Sequence, residues 1–300
     1  MTGAITQSLK GLTKSLVPPN GIERIKRLVW SNRVRDAQAA LAGSSGAQGW
    51  LTDRELDALC GAYPVRKTWA PAPSEPDVAR ARAALKALGG GGRAQTVLDA
   101  GGGPGYVVWA AALQGHRVTC ADILDELDPA ARRAGVESVI ADTCRLPMDD
   151  NTYDGLWSYN SFEHFHDPDR ALSEFHRVVR PGGRIHLSFA PLYNAPLGLH
   201  AFHEIGVPFC QHLWSDETIL PRVTSKDLWC LNRWSLTQYR ELWAKHADTL
   251  DVVDYSEGFD FQGLELIHRY PHCFTKVSRD IEDFVTSKIV VTFRVRKTAH

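Results

Sequence analysis

Residues 97–106 read VLDAGGGPGY: an apolar run, an acid, and glycines at 101, 103 and 105 that lead into a second apolar stretch. No other ten residues restrict the fold as much. TVLDA (96–100) followed by a glycine-rich turn and GYVVWAAALQG spells strand, tight turn, helix. Glycine at such a turn admits positive φ and lets the backbone approach a ligand closely. A nicotinamide-dinucleotide turn would carry the spacing GxGxxG. Its last position falls on Tyr106 counting from Gly101, and on Val108 counting from Gly103, so that pattern fails. Asp99, at the strand end, would also repel a pyrophosphate. It suits a ligand that carries an ammonium and a sulfonium.

Around this turn the chain alternates short β-runs with helices. RVTCAD (117–122) and SVIAD (138–142) read as strands two and three, and GLWSYN (155–160) as strand four. DRALSEFHRVV (169–179) is an amphipathic helix that PGG (181–183) should end, and RIHLSFA (184–190) is strand five. SLTQYRELWAKHA (235–247), with Ser235 or Thr237 as its cap, TLDVVDY (249–255) and KIVVTFRVR (288–296) complete the alternation. Strands joined by helices through short links are parallel, which predicts an open α/β sheet. Residues 191–232 interrupt the pattern with prolines and aromatics and read as an inserted lid over a substrate pocket. Residues 1–75 read as an N-terminal helical lid region, and 76–300 as the α/β domain. Within the former, Pro18-Pro19-Asn20 should introduce a helix from Gly21 to about Leu41, and Thr52 with Glu55 forms a capping-box pattern. Ile5, Leu9, Leu12 and Leu16 share one helical face, which suits a helix packed over a site; a targeting or membrane-surface helix is the alternative.

Asp122 and Asp142 end strands two and three as Asp99 ends strand one. Strand C-termini line the ligand crevice of an open parallel sheet, so the three carboxylates should converge there. The second can accept both hydroxyls of a ribose and the third an adenine amino group. Aspartates also end strands as turn formers, but three in succession beside a glycine turn favour a ligand.

These residues resemble the class I S-adenosylmethionine-dependent methyltransferases, in particular those acting on small molecules. The likeness runs from Thr96 to Ala190 and is strongest in ADTCRLPMDDNTYDGLWSYNSFEHFHDPDRALSEFHRVVRPGGRIHLSF. It implies a Rossmann-like sheet of seven mostly parallel strands, the last antiparallel beside the fifth, with S-adenosylmethionine as cofactor. Carried over by position, Asp99, Gly101, Gly103 and Gly105 would hold the methionine moiety. Asp122 and Ile123 would hold the ribose, and Asp142 and Thr143 the adenine. Ser158 to Asn160 would border the methyl group. The implied activity is methyl transfer to a small-molecule acceptor, expected at a hydroxyl oxygen, in secondary metabolism or glycan modification. Transfer to carbon or nitrogen, or cofactor binding without catalysis, are the alternatives.

A hydroxyl acceptor benefits from a general base, and histidine suits neutral pH. His164 after strand four, with His200 and His203 in the insertion GLHAFHEIGVPFCQHLW (198–214), are the expected catalytic residues; His166 and His212 are further candidates. No metal is expected. Asn160, Glu163 and His164 stand at the spacing of a divalent-ion pattern in ubiquinone-pathway O-methyltransferases, but asparagine in the first place removes a charged ligand. His200-x-x-His203 departs from the four-residue histidine spacing of zinc hydrolases.

The formal net charge of −1 argues against general nucleic-acid binding. No eighteen-residue apolar run exists, so no membrane span is expected. The six cysteines lack a CxxC pair and read as free thiols in a reducing, cytoplasmic setting. A small-molecule acceptor is the expected partner, and homo-oligomerisation stays open.

Overall fold

The computed structural model describes residues 19–45, 49–65, 75–89, 93–224 and 231–297. The amphipathic stretch at Ile5–Leu16 lies outside them. Among the described residues a seven-stranded sheet runs in the order β3-β2-β1-β4-β5-β7-β6. Its strands are β1 (Thr96–Ala100), β2 (Arg117–Asp122), β3 (Glu137–Ile140), β4 (Tyr153–Tyr159), β5 (Val179–Phe189), β6 (Leu250–Phe259) and β7 (Thr286–Val295). The first five are mutually parallel, and β7 is antiparallel to both β5 and β6. The expected Rossmann-like architecture with an antiparallel last strand is therefore present.

The crossover helices carry the signals that start them. The helix Tyr106–Ala112 follows the glycine turn, while Pro168–Val178 begins behind Asp167, whose carboxylate accepts the Arg170 N–H. Leu236–Lys245 begins behind Ser235, which forms a capping box with Gln238. Thr52 does the same with Glu55 at the start of Asp53–Ala62, as the sequence predicts. One boundary differs. PGG does not separate the helix Pro168–Val178 from the strand that follows; β5 already pairs at Val179 with Tyr153 and shifts register before Arg184 meets Gly155. Gly182 has φ 76°, and a Cβ on Gly183 would stand 2.7 Å from the Asp154 carbonyl, so the glycines make an irregular entry into the strand.

Two apolar cores flank the site region. One fills the sheet face beneath Pro168–Val178 and Leu236–Lys245, where Phe162 packs against the rings of Phe165, Phe175, Phe189, Tyr239 and Trp243. The other joins Ala37 and Leu41 of the long helix Pro19–Gly43 and Leu56 and Leu59 of Asp53–Ala62 to Leu199, Val207, Phe209 and Trp214 of the 191–232 insertion. Three short helices between β6 and β7, Leu264–Arg269, Pro271–Phe274 and Glu282–Val285, complete it through Leu264, Phe274 and Phe284. Sequence reading assigned nothing to them, because four to six residues show too little periodicity. No helix among the described residues is long and apolar enough to cross a membrane.

Phe162 is fully buried among five rings, so Phe162→Ala should lower unfolding free energy by about 3–5 kcal/mol. A reduced denaturant midpoint at unchanged m-value would register it.

Candidate active site

The strand order reverses between β1 and β4, and crevices of open α/β sheets form at that point. The glycine turn closes β1 there. Gly101, Gly103 and Gly105 have φ of 73°, 50° and 73°. At Gly101 the conformation is needed twice, since a Cβ would also lie 2.6 Å from that of Ser161. The Ser161 hydroxyl stands 2.6 Å from the Gly101 carbonyl and 3.0 Å from that of Tyr159, tying the end of β4 to the turn. Gly102 sits over Asp99, whose Oδ2 would be 2.8 Å from a Cβ there.

Asp99 is buried beneath the turn, and its Oδ1 has no hydrogen-bond partner. Burial pushes its carboxyl up to about 7; the Trp157 indole opposes this and the Asp122 carboxylate adds to it. Asp122 is half-exposed. One of its oxygens accepts the Gly103 N–H at 2.9 Å and the other the Leu124 N–H at 3.2 Å, and each retains a free lone pair. Asp142 is exposed just beyond β3 and accepts the Cys144 N–H at 2.8 Å, beside buried Thr143. Ile123, Leu124 and Ile140 expose their side chains next to these acids, an apolar edge that suits a flat heterocycle. Ser158 lies within the sheet, its Oγ buried and unpartnered, whereas Asn160 is exposed with φ 49°.

Beyond Ser161 a single 3₁₀ turn, Phe162–His164, sets Glu163 inward. Glu163 is buried, and neither carboxylate oxygen has a well-formed hydrogen bond. Burial raises its carboxyl to about 8, and the nearby N–H groups of Glu163 itself and of Ala190 moderate the rise. The insertion returns His200 to this point, its ring 5.0 Å from that of His164 and edge-on to it. His200 lies 3.0 Å from the Pro191 carbonyl through Nε2. A carbonyl only accepts, so Nε2 carries the proton and Nδ1 offers a lone pair. Burial holds this imidazole below its usual range, although the carbonyl favours the cation. His203 is half-buried, with its ring 4.5 Å from that of Phe202. His212 lies among the rings of the second core. It is buried against Phe209, Phe274 and Phe284, and burial pushes it down to about 3.

Sequence reading missed two features. Spacing alone places Glu163 in a divalent-ion pattern, and nothing in the sequence shows that it is buried. Asn232 holds the 3₁₀ turn in place: its backbone N–H donates to the Glu163 carbonyl at 2.9 Å and its side chain to the Phe162 carbonyl at 3.0 Å. It also accepts from Tyr239 and the Trp234 backbone. Its signal was a place just ahead of the Ser235 cap.

The sheet order and the glycine turn define a Rossmann-like domain of the class I methyltransferase type. Residues 98–187 match the family described as methyltransferase domain, which identifies this region as a class I S-adenosylmethionine-dependent methyltransferase domain. An uncharacterized methyltransferase of Mycobacterium sp. (strain JLS) is 40% identical over 123 residues, 39% of this chain and 45% of that protein. A malonyl-[acyl-carrier protein] O-methyltransferase of Pseudescherichia vulneris is 40% identical over 97 residues, 31% and 38% of the two chains. An S-adenosyl-L-methionine-dependent Diels-Alderase of Talaromyces variabilis is 32% identical over 139 residues, 40% and 44%. The chain thus spans less than half the length of these curated relatives.

The residues present fit the cofactor. A ligand ammonium is the group that would satisfy Asp99, and it binds the ionised carboxylate. Affinity for S-adenosylhomocysteine should therefore rise with pH through about 7 and fall by up to about tenfold per unit below it. Calorimetric titrations between about pH 6 and 8 check this; Asp99→Asn should bind more weakly and without the slope. Asp122→Ala should lower affinity by the value of its charge-assisted ribose hydrogen bonds, about 1.5–3 kcal/mol each, in the same assay.

Proposed function

We propose that this chain binds S-adenosylmethionine at the glycine turn and methylates a hydroxyl oxygen of a small-molecule acceptor. The convergence of Glu163, His164 and His200 beside that turn carries the acceptor half of the reading. The cofactor supplies a methyl already activated by its sulfonium, so alignment and exclusion of water are what the protein must add. Asp99, Gly101, Gly103 and Gly105 hold the methionine part, Asp122 and Ile123 the ribose, and Asp142 and Thr143 the adenine. Ser158 and Asn160 flank the methyl through the end of β4. The imidazoles of His164, His200 and His203 orient the acceptor and take its proton as oxygen forms the new bond to carbon; the sulfur–carbon pair stays on sulfur.

The N-terminal helices and the 191–232 insertion act as the acceptor's lid, a role supported by their shared core. The O-methyltransferase name of the Pseudescherichia relative agrees with oxygen as the methylated atom. We read the acceptor as a metabolite of secondary metabolism or glycan modification. The five free cysteines among the described residues agree with a reducing cytoplasm.

Incubation with methyl-labelled S-adenosylmethionine and metabolite extracts should place label in a small-molecule ether or ester. His164→Ala should lower turnover by about 10²–10⁴-fold while S-adenosylhomocysteine affinity stays unchanged. Label found on carbon or nitrogen would redirect the reading. A product formed without label transfer would point to a reaction of the kind named for the Talaromyces relative.

A further inference from the structure

We infer that Glu163, His164 and His200 form a three-ligand site for a first-row divalent cation, open toward the acceptor. Each offers one donor atom, and the three atoms lie within 4.8 Å of one another, close enough for one ion to draw together. Two of the donors are neighbours on the 3₁₀ turn and the third arrives from the insertion, so the site exists only in the folded chain.

Independent features of the individual residues point the same way. A carboxylate buried without well-formed hydrogen bonds is costly unless something compensates it, and both Glu163 oxygens lack them, with only the N–H groups of Glu163 and Ala190 nearby. A cation beside them supplies what the protein does not. His200 has its outer N–H on the Pro191 carbonyl, which fixes the tautomer and turns the Nδ1 lone pair to the other face. Imidazoles that bind metals are held by such a bond to a backbone carbonyl or carboxylate. His200 also has φ 63°, an uncommon conformation for a residue other than glycine, kept where surrounding structure over-determines it.

Two imidazoles and one carboxylate suit Zn²⁺, Mn²⁺, Fe²⁺ or Co²⁺, whereas Ca²⁺ and Mg²⁺ favour all-oxygen surroundings. Three protein ligands leave positions for the oxygens of a chelating acceptor, such as vicinal hydroxyls or a hydroxyl beside a carbonyl. The expectation of no metal rested on asparagine at 160 and on the His200–His203 spacing, whereas here His200 joins Glu163 and His164 as the third donor. The role of the ion rests on the methyl-transfer reading. With His164 and His200 engaged on it, the ion would acidify a bound acceptor hydroxyl whose proton passes to His203, while oxygen bonds to the methyl carbon and the carbon–sulfur pair remains on sulfur. Binding of the ion does not depend on that step.

A second cluster, Asp142, Cys144 and His166, is a contrast. Asp142 and His166 are exposed, and the Cys144 thiol donates to the Asp167 carbonyl at 3.3 Å.

The full-length chain, stripped with chelator, is titrated with Co²⁺ alone while heat and visible absorption are followed. One equivalent should bind with a ligand-field spectrum. Affinity should fall on the order of 100-fold in Glu163→Gln and in His200→Asn, and stay unchanged in His166→Ala. Glutamine keeps the volume of Glu163 and asparagine tolerates the left-handed backbone at 200, and S-adenosylhomocysteine affinity reports that both variants are folded. No saturable binding by the wild-type chain, or binding undiminished in both variants, overturns the site, as does loss confined to His166→Ala. Co²⁺ binding that depends on Glu163 and His200 in a chain that transfers no methyl upholds the site and overturns only the methyl-transfer reading.

Discussion

The contact between Ser161 and Gly101 sets the arrangement of everything else in the crevice. β1 and β4 are parallel neighbours, so their C-terminal ends lie at the same edge of the sheet. The Ser161 hydroxyl joins the two carbonyls, and the absence of a side chain at residue 101 lets the backbones meet. From that fixed point the glycine turn runs one way over Asp99 and the 3₁₀ turn runs the other, carrying Glu163 and His164. A larger residue at 101 would separate the ligand turn from the histidines, a loss that no local repacking could mend in an interior packed this closely.

How far the sequence could be read follows from the range of each interaction. Strands, helix caps and the glycine turn are local. Thr52 with Glu55, Ser235, Asp167 and the three strand-end acids were legible because a few consecutive residues determine them. The antiparallel last strand was legible through resemblance rather than pattern. The burial of Glu163 was not legible, since it depends on Phe162 filling the aromatic core and on Asn232 gripping the turn from some seventy residues away. Nor could spacing show that His200 meets His164 while His212, only twelve positions on, lies in the second core. Both histidines occupy the same aromatic-rich segment, and only the path of the backbone separates a polar site residue from a packed one. The start of β5 escaped for a different reason. Proline and glycines signal a break, and here they shape an irregular strand entry.

The two cores give the site its mechanical setting. The sheet-side core fixes Phe162 and so the position of Glu163, whereas the second core holds the insertion that delivers His200. Helices from the N-terminal region and from between β6 and β7 complete that second core, so residues distant in sequence decide where His200 lies. Arg279 reinforces the junction, donating to the Leu41 carbonyl at 3.0 Å, and Gln38 donates in return to the Arg279 carbonyl. The segment that delivers His200 is therefore built on a different support from the strand ends beside the glycine turn, whose Leu98 and Ala100 belong to the sheet-side core.

Asp99 and Glu163 show the same physics at the two ends of this arrangement. Each is a buried carboxyl raised well above its ordinary value, to about 7 and about 8. A group raised on folding binds its proton more tightly in the native chain. Its stabilising contribution is complete below the unfolded value, near 4, and is lost as pH rises through the folded one. At neutral pH and above, the ligand-free fold thus bears the cost of both groups. A positively charged partner reverses the sign at each, because it favours the ionised carboxylate and binds only the folded state. The destabilisation is not spread through the molecule; it is gathered at the ends of β1 and β4, the two strands between which the crevice opens. Packing these positions with apolar residues would make a more stable sheet with nothing to hold a cation, and so the cost of the two carboxyls is best understood as the counterpart of ligand binding.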